Sequence, residues 1–270
     1  MSKLPKNKIG KPSVTLWLLD GSLVHEDDIG FFANQLGASE ARRYGAFRRR
    51  ERKRQFLLGR ILLRFAVSRL LSLPPDTLGV VERHSHAPRL VLPDSQRAQP
   101  NFSLSHSGDW VACAVSSSVN LGVDIELNDP TRSILDVSHM AFHENEHSWL
   151  LQQSEAARLS AFYQLWCTRE ALYKLMTALG RQTVLLPLVG MDGTMALHGP
   201  GWYVETLAQC GLTIAVCSDQ PLSAFQPMEL DGLSRADWLA LARESLEQIT
   251  ATPIKERHGN ARCAAINHDD

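Results

Sequence analysis

Two carboxylates lie two residues apart in a short apolar run, Asp124 and Glu126 in LGVDIE at 121–126. In a strand they share one face, with Ile125 turned to the other. Like charges held side by side repel, and a hard cation relieves that repulsion. Mg²⁺ takes one or two carboxylates and completes its shell with water and phosphate oxygens. The same spacing also describes the solvated acidic end of an edge strand. A second group, Trp166, Glu170 and Lys174, is spaced by four and falls on one face of a helix. A Glu–Lys pair of that kind also occurs on ordinary surface helices, where it contributes about 0.2–0.5 kcal/mol. An indole in line with the two charges points to a half-buried face. A third group is Ser103, Ser105, His106, Ser107 and Gly108. Small hydroxyl residues beside a glycine let backbone N–H groups approach an anion.

The elements that must carry these groups follow from apolar patterning. Apolar runs at 14–19, 110–115, 121–126 and 212–217 read as strands. Residues 36–71 read as a long helical region that breaks near Gly45, and residues 131–150 as helical. Residues 158–179 form the strongest helical pattern and carry Trp166, Glu170 and Lys174. A short strand is expected near 89–92. Further strands are expected at 187–197, with a turn at Asp192-Gly193, and at 202–207. WVACAV at 110–115 and LTIAVC at 212–217 resemble each other. After Ser218 the sequence turns polar, with one amphipathic helix over 236–248 and a loose tail from 252.

Positive charge collects in 42–69: Arg42, Arg43, Arg48, Arg49, Arg50, Arg52, Lys53, Arg54, Arg60, Arg64 and Arg69 face one acid, Glu51. Such a run is a solvated helix face, or a surface that meets phosphates or an acidic protein. Across all 270 residues the net charge is −1, which gives no global signature of nucleic-acid or membrane binding. Five cysteines without CxxC spacing fit neither a disulfide framework nor a zinc site, and suit a reducing cytoplasm. The basic start MSKLPKNKIGKP lacks the apolar run of a signal peptide, and no stretch of about eighteen apolar residues occurs. A cytoplasmic protein without membrane or nucleic-acid partners is the expectation.

In order, SHS, GVDIE and WCTREALYK resemble the 4′-phosphopantetheinyl transferases, in their longer, single-chain, surfactin-synthetase-activating type. That family's pattern is a Phe-Asn-x-Ser-His-Ser strand entry, a Gly-x-Asp-x-Glu strand and a Trp-x-x-Lys-Glu-x-x-x-Lys helix. Here FSLSHSG stands at 102–108, GVDIE at 122–126 and WCTREALYK at 166–174. Phe142 to Glu146 resembles the family's Phe-x-x-x-Glu helix end, residues 43–64 its Arg-rich helix, and 211–218 its terminal strand. The likeness covers residues 13–218.

The resemblance implies an α+β fold, a pseudo-dimer of two similar halves, each a small antiparallel sheet packed with helices, with the active site between them. It divides the chain into 1–120, 121–220 and an extension at 221–270. It implies transfer of the phosphopantetheine arm of coenzyme A to a serine of an apo acyl, polyketide or peptidyl carrier protein, releasing adenosine 3′,5′-bisphosphate. By similarity, Asp124, Glu126 and Glu170 hold Mg²⁺ with the coenzyme A pyrophosphate, so that Asp124 serves both metal and substrate. Glu170 takes the serine proton, and Lys174 contacts the phosphates and stabilises the leaving group. Ser105 and His106 contact coenzyme A phosphates, and Arg43 its 3′-phosphate. With both halves of the site in one chain, a monomer is expected.

Three positions depart from the pattern. Arg169 replaces the Lys before the metal-binding Glu, His86-Ala87-Pro88 replaces Gly-Lys-Pro, and Ser103 replaces Asn. Arg169 and the missing Gly-Lys-Pro also fit a carrier-binding homologue impaired in catalysis. Another Mg²⁺-dependent phosphoryl-transfer or hydrolytic enzyme would keep the three acids. A nucleic-acid binder built on 42–69 lacks aromatic readout, because Phe47, Phe56 and Phe65 take core positions.

Overall fold

A computed structural model of the chain describes residues 12–83, 86–182, 187–190, 193–230 and 232–243. In chain order the elements are β1 (Ser13–Asp20), α1 (Glu26–Ala33), α2 (Ala38–Ala46), α3 (Arg50–Leu71), β2 (Gly79–Arg83), β3 (His86–Val91), β4 (Asn101–Ser107), β5 (Trp110–Ser116) and β6 (Leu121–Leu127). There follow α4 (Ile134–Ala141), α5 (Glu144–Gln152), α6 (Glu155–Ala178), β7 (His198–Gly199), β8 (Trp202–Gln209), β9 (Leu212–Ser218), β10 (Ala224–Leu230) and α7 (Arg235–Arg243). The fold is α+β.

Two four-stranded sheets form the centre, in the orders β10-β1-β5-β4 and β6-β9-β8-β7. Their inner faces share one apolar layer: Val14, Leu16 and Leu18 of β1 and Ala112 and Ala114 of β5 meet Val123 and Ile125 of β6 and Ile214 and Val216 of β9. The alternate residues face outward onto helices. Trp17, Leu19, Val111 and Cys113 pack under α3, and Ala215 and Cys217 pack under α6. Burial on both faces explains why these strands read as unbroken apolar runs. It also fixes the outlook of β6: with Val123 and Ile125 inward, Gly122, Asp124 and Glu126 face α6.

Each half runs strand, long helix, antiparallel hairpin, with the last strand in the middle of its sheet. β1, α3, β4 and β5 place β5 between β1 and β4; β6, α6, β8 and β9 place β9 between β6 and β8. WVACAV and LTIAVC are these two middle strands, so their resemblance has a structural counterpart.

The stretch after Ser218 does more than the expected helix and tail. β10 adds to β1 in parallel from Ser13↔Ala224 to Leu19↔Leu230, the one parallel pairing among the described strands. Its Pro227 is tolerated because β10 is an edge strand. α7 buries Trp238 against Phe32, with ring centroids 6.1 Å apart. The described part of the extension therefore completes the first sheet; residues 244–270 lie outside the described residues.

Other boundaries shift for local reasons. The helical break falls at 47–49, where Phe47 and Arg49 are extended, and not at Gly45. The region 131–150 is two helices, separated where Phe142 turns extended and His143 N donates to Glu146 Oε2. Phe142 to Glu146 is thus a helix start rather than a helix end. Of the strand expected at 187–197, the described residues show an isolated bridge, Val189 to Met195; Asp192 of its turn lies outside them.

Helix α3 is buried on nearly every face, from Phe56 and Leu57 through Val67. Arg60 and Arg64 are carried inside with it and need counter-charges there. Glu40, fully buried, takes Arg64 through both oxygens at 2.9 and 2.6 Å. Glu82 takes Arg60 at 2.7 Å and Arg43 at 2.5 Å. Arg54 reaches Glu26 at 2.5 Å and the carbonyls of Gly21 and Val24. Much of the basic run is therefore neutralised within the fold.

Candidate active site

Gly122 is what allows α6 to approach β6. A Cβ there would sit 2.0 Å from the Ala171 carbonyl oxygen and 2.6 Å from the Leu175 nitrogen, both backbone atoms. With no side chain in the way, two ladders come into register. Four residues of helix rise about 6 Å, and two residues of strand about 6.7 Å. The rungs 166, 170 and 174 of α6 therefore fall in step with 126, 124 and 122 of β6, with Lys174 beside Gly122 and its side chain reaching back to Asp124. Trp166 favours the charged form of Glu126, and Lys174 Nζ meets Asp124 Oδ1 at 2.8 Å. Glu170, between them, feels the Asp124 charge.

The electrostatics are those of crowded acids. Loss of hydration raises the Glu126 carboxyl above its ordinary range and the Asp124 charge adds to this, while Ser107, Arg132 and Trp166 oppose it. Glu170 is likewise raised, first by burial and then by Asp124, against Lys174. Lys174 also donates to the Val123 carbonyl at 2.8 Å and to Ser105 Oγ at 3.2 Å. Asp124 Oδ1 is thus fully engaged, while Oδ2 is buried with no hydrogen-bond partner. An orphaned carboxylate oxygen among repelling acids fits a hard cation in donor type. Among the described residues, however, no group of three or more acids, histidines or cysteines is drawn closely enough together to hold an ion as it stands.

The other expected residues are placed as follows. Ser105 is buried between the halves, donating to Asp124 Oδ1 at 2.8 Å. His106 faces the other way, where Arg52 Nη1 lies 3.2 Å from its Nε2. Loss of hydration and the Arg52 charge lower its pKa, so the ring is neutral at pH 7. Arg43 is held by Glu82, with its side chain half exposed. Arg169 turns away from the acids and pairs with the fully buried Glu146, its guanidinium 5.7 Å over the Phe142 ring. That carboxylate also accepts from the Leu188 N–H at 2.6 Å. The Arg169 departure therefore sits in a structural ion pair linking α5 to α6.

Sequence reasoning passed over two features. Arg132 lies 5.0 Å over the Trp166 ring and 5.6 Å over that of Phe162, beside Glu126. A lone arginine in a loop carried no signal of this. The alternating serines of β4 were legible as spacing: Ser103, Ser105 and Ser107 share one strand face, and that face meets β6.

Residues 120–192 match the family model of the 4′-phosphopantetheinyl transferase superfamily, and residues 25–118 match that of the 4′-phosphopantetheinyl transferase N-terminal region. The chain is 30% identical over 179 residues to 4′-phosphopantetheinyl transferase psf-1 of Bacillus pumilus, covering 63% of this chain and 73% of that one. It is 29% identical over 185 residues to 4′-phosphopantetheinyl transferase Sfp of Bacillus subtilis (strain 168), covering 65% and 78%. Against 4′-phosphopantetheinyl transferase gsp of Aneurinibacillus migulanus it is 30% identical over 118 residues, covering 44% of this chain and about half, 46%, of that one.

Proposed function

The chain belongs to the 4′-phosphopantetheinyl transferase superfamily, and we propose that it moves the phosphopantetheine arm of coenzyme A onto a serine hydroxyl of an apo carrier protein. The observation that carries this reading is the register of α6 on β6, which brings Glu170 and Lys174 from one segment onto Asp124 and Glu126 of another.

Asp124, through Oδ2, with Glu126 and Glu170 would hold Mg²⁺, which supplies charge neutralisation on the phosphoryl oxygens. Glu170, whose affinity for a proton is raised as that of Glu126 also is, takes the proton leaving the carrier serine by analogy with the family pattern. Lys174 carries a fixed positive charge into the site and faces the phosphate that departs with adenosine 3′,5′-bisphosphate. The neutral His106 ring offers a donor on the opposite face of β4, beside the Arg52 cation, where a coenzyme A phosphate is accommodated. Arg43 reaches a 3′-phosphate only by sharing or leaving Glu82.

Carrier proteins rich in acid would meet the arginines of α2 and α3 that the fold leaves outward. The reading includes a monomer in the cytoplasm, with no nucleic-acid or membrane partner. No described helix is long and apolar enough to cross a membrane. The test is incubation with coenzyme A, Mg²⁺ and an apo carrier protein. A mass gain of one phosphopantetheine on the carrier, lost when the carrier's serine is replaced by alanine, is the expected result. No gain from folded protein overturns the reading.

A further inference from the structure

The unpaired edge of β6 faces β4, and three hydroxyls meet it. Val123 N donates to Ser103 Oγ at 3.0 Å, Ile125 N to Ser105 Oγ at 3.4 Å, and Leu127 N to Ser107 Oγ at 3.0 Å. The spacing is constant: each serine receives the N–H twenty residues ahead. A hydroxyl that accepts from a backbone N–H has its own proton left to give. Ser105 gives it to Asp124 Oδ1 at 2.8 Å, and Ser107 gives it to Glu126 Oε2 at 2.7 Å. At the third rung Gly122 has no carboxylate, so Ser103 serves the backbone without orienting an acid.

We propose that Ser107 is a positioning residue, orienting the Glu126 carboxylate for the divalent cation; this rests on the metal-dependent transferase reading above. Ser107 belongs to the first half of the fold and Glu126 to the second. The direction of the bond is set by Leu127 N–H, which cannot accept, so the serine proton is committed to the carboxylate. Trp166 and Arg132 favour the charge of the same carboxylate, but the hydrogen bond that fixes its orientation comes from Ser107 Oγ, so removing Ser107 removes that anchor. Outer donors of this kind fix the orientation of metal-binding carboxylates, and their loss costs about 10–100-fold in metal affinity.

Ser103 gives the built-in comparison, since it bridges the same two strands but touches no acid. Mn²⁺ binding is measured by electron paramagnetic resonance without coenzyme A, alongside thermal unfolding. Ser107→Ala is expected to weaken Mn²⁺ binding about tenfold, Ser107→Thr to restore it to within about threefold of wild type, and Ser103→Ala to leave it unchanged. Ser107→Ala with wild-type Mn²⁺ affinity overturns the proposal, as does an equal loss in Ser103→Ala. If Ser107→Ala does not fold, Ser107→Cys, a near-isosteric side chain with a weak donor, is read in its place with the same expected and overturning results. Transfer by the wild-type protein to an apo carrier, assayed separately, distinguishes failure of this inference from failure of the transferase reading.

Discussion

Lys174 Nζ lies 2.8 Å from Asp124 Oδ1, while the other oxygen of that carboxylate is buried without a partner. The ammonium thus compensates half of a site whose remaining half is open to a cation. Removing Lys174 leaves Asp124 buried and uncompensated. Lys174→Met is expected to lower stability by about 1–3 kcal/mol in urea unfolding, and transfer activity by about 100-fold or more. The double variant Asp124→Asn/Lys174→Met should regain most of the stability and none of the activity. Independent, additive stability losses would contradict the coupling.

Glu170 is expected to trade stability for function. Its folded pKa is raised by burial and by Asp124. The folded state therefore binds that proton more tightly than the unfolded chain, whose glutamate titrates near its ordinary value of 4.5. The ionised form is a destabilising contribution above the folded pKa, relieved as pH falls through it. Glu170→Gln should unfold at a higher temperature than wild type at pH 8, with the gap closing toward pH about 4.5. Carrier modification should fall by about 100-fold or more. A gap that widens on acidification would contradict this.

Gly122→Ala is expected to disrupt α6 rather than β6. The added Cβ meets backbone atoms of Ala171 and Leu175, which yield only if the helix moves. A stability loss of about 3 kcal/mol in chemical unfolding should accompany loss of activity. Retained activity would show that Glu170 and Lys174 do not depend on this close approach.

The arginine-rich segment separates into structural and outward cations. Glu40→Ala leaves Arg64 buried and unpaired and should cost about 3–5 kcal/mol. Arg54→Ala should cost about 1–3 kcal/mol, with the coenzyme A KM unchanged, because Arg54 is spent on Glu26, Gly21 and Val24. Arg52→Ala, which frees His106, should raise that KM with little change in unfolding temperature. Equal effects of the two arginines on KM would contradict the division.

The acids and the helix that meets them were legible because both sit in periodic segments. Alternation in 121–126 puts Asp124 and Glu126 on one face, and the spacing of four aligns Trp166, Glu170 and Lys174. Their meeting was legible only through the family pattern, since nothing local in either segment says that Gly122 lets the helix in. Two kinds of feature escaped. Buried ion pairs such as Arg64–Glu40 look in sequence like solvated charge, because counter-charges 24 residues away leave no periodic trace. β10 escaped because Pro227 and its neighbours fall in the stretch that turns polar after Ser218, and an edge strand needs only one well-packed face. Phe142 to Glu146 was read in the wrong sense, as an end, because a capping Glu three residues into a helix shows only when the chain before it is seen to be extended.

The central claim is that acids from two distant segments act through one divalent ion in phosphopantetheine transfer. The most direct measurement is the rate of carrier mass gain against free Mg²⁺ for wild type, Asp124→Asn and Glu170→Gln on the same apo carrier. The wild-type rate should rise from zero and saturate, with both variants about 100-fold or more lower at saturation. Full wild-type transfer in excess chelator, or either variant working at the wild-type rate, would contradict the account.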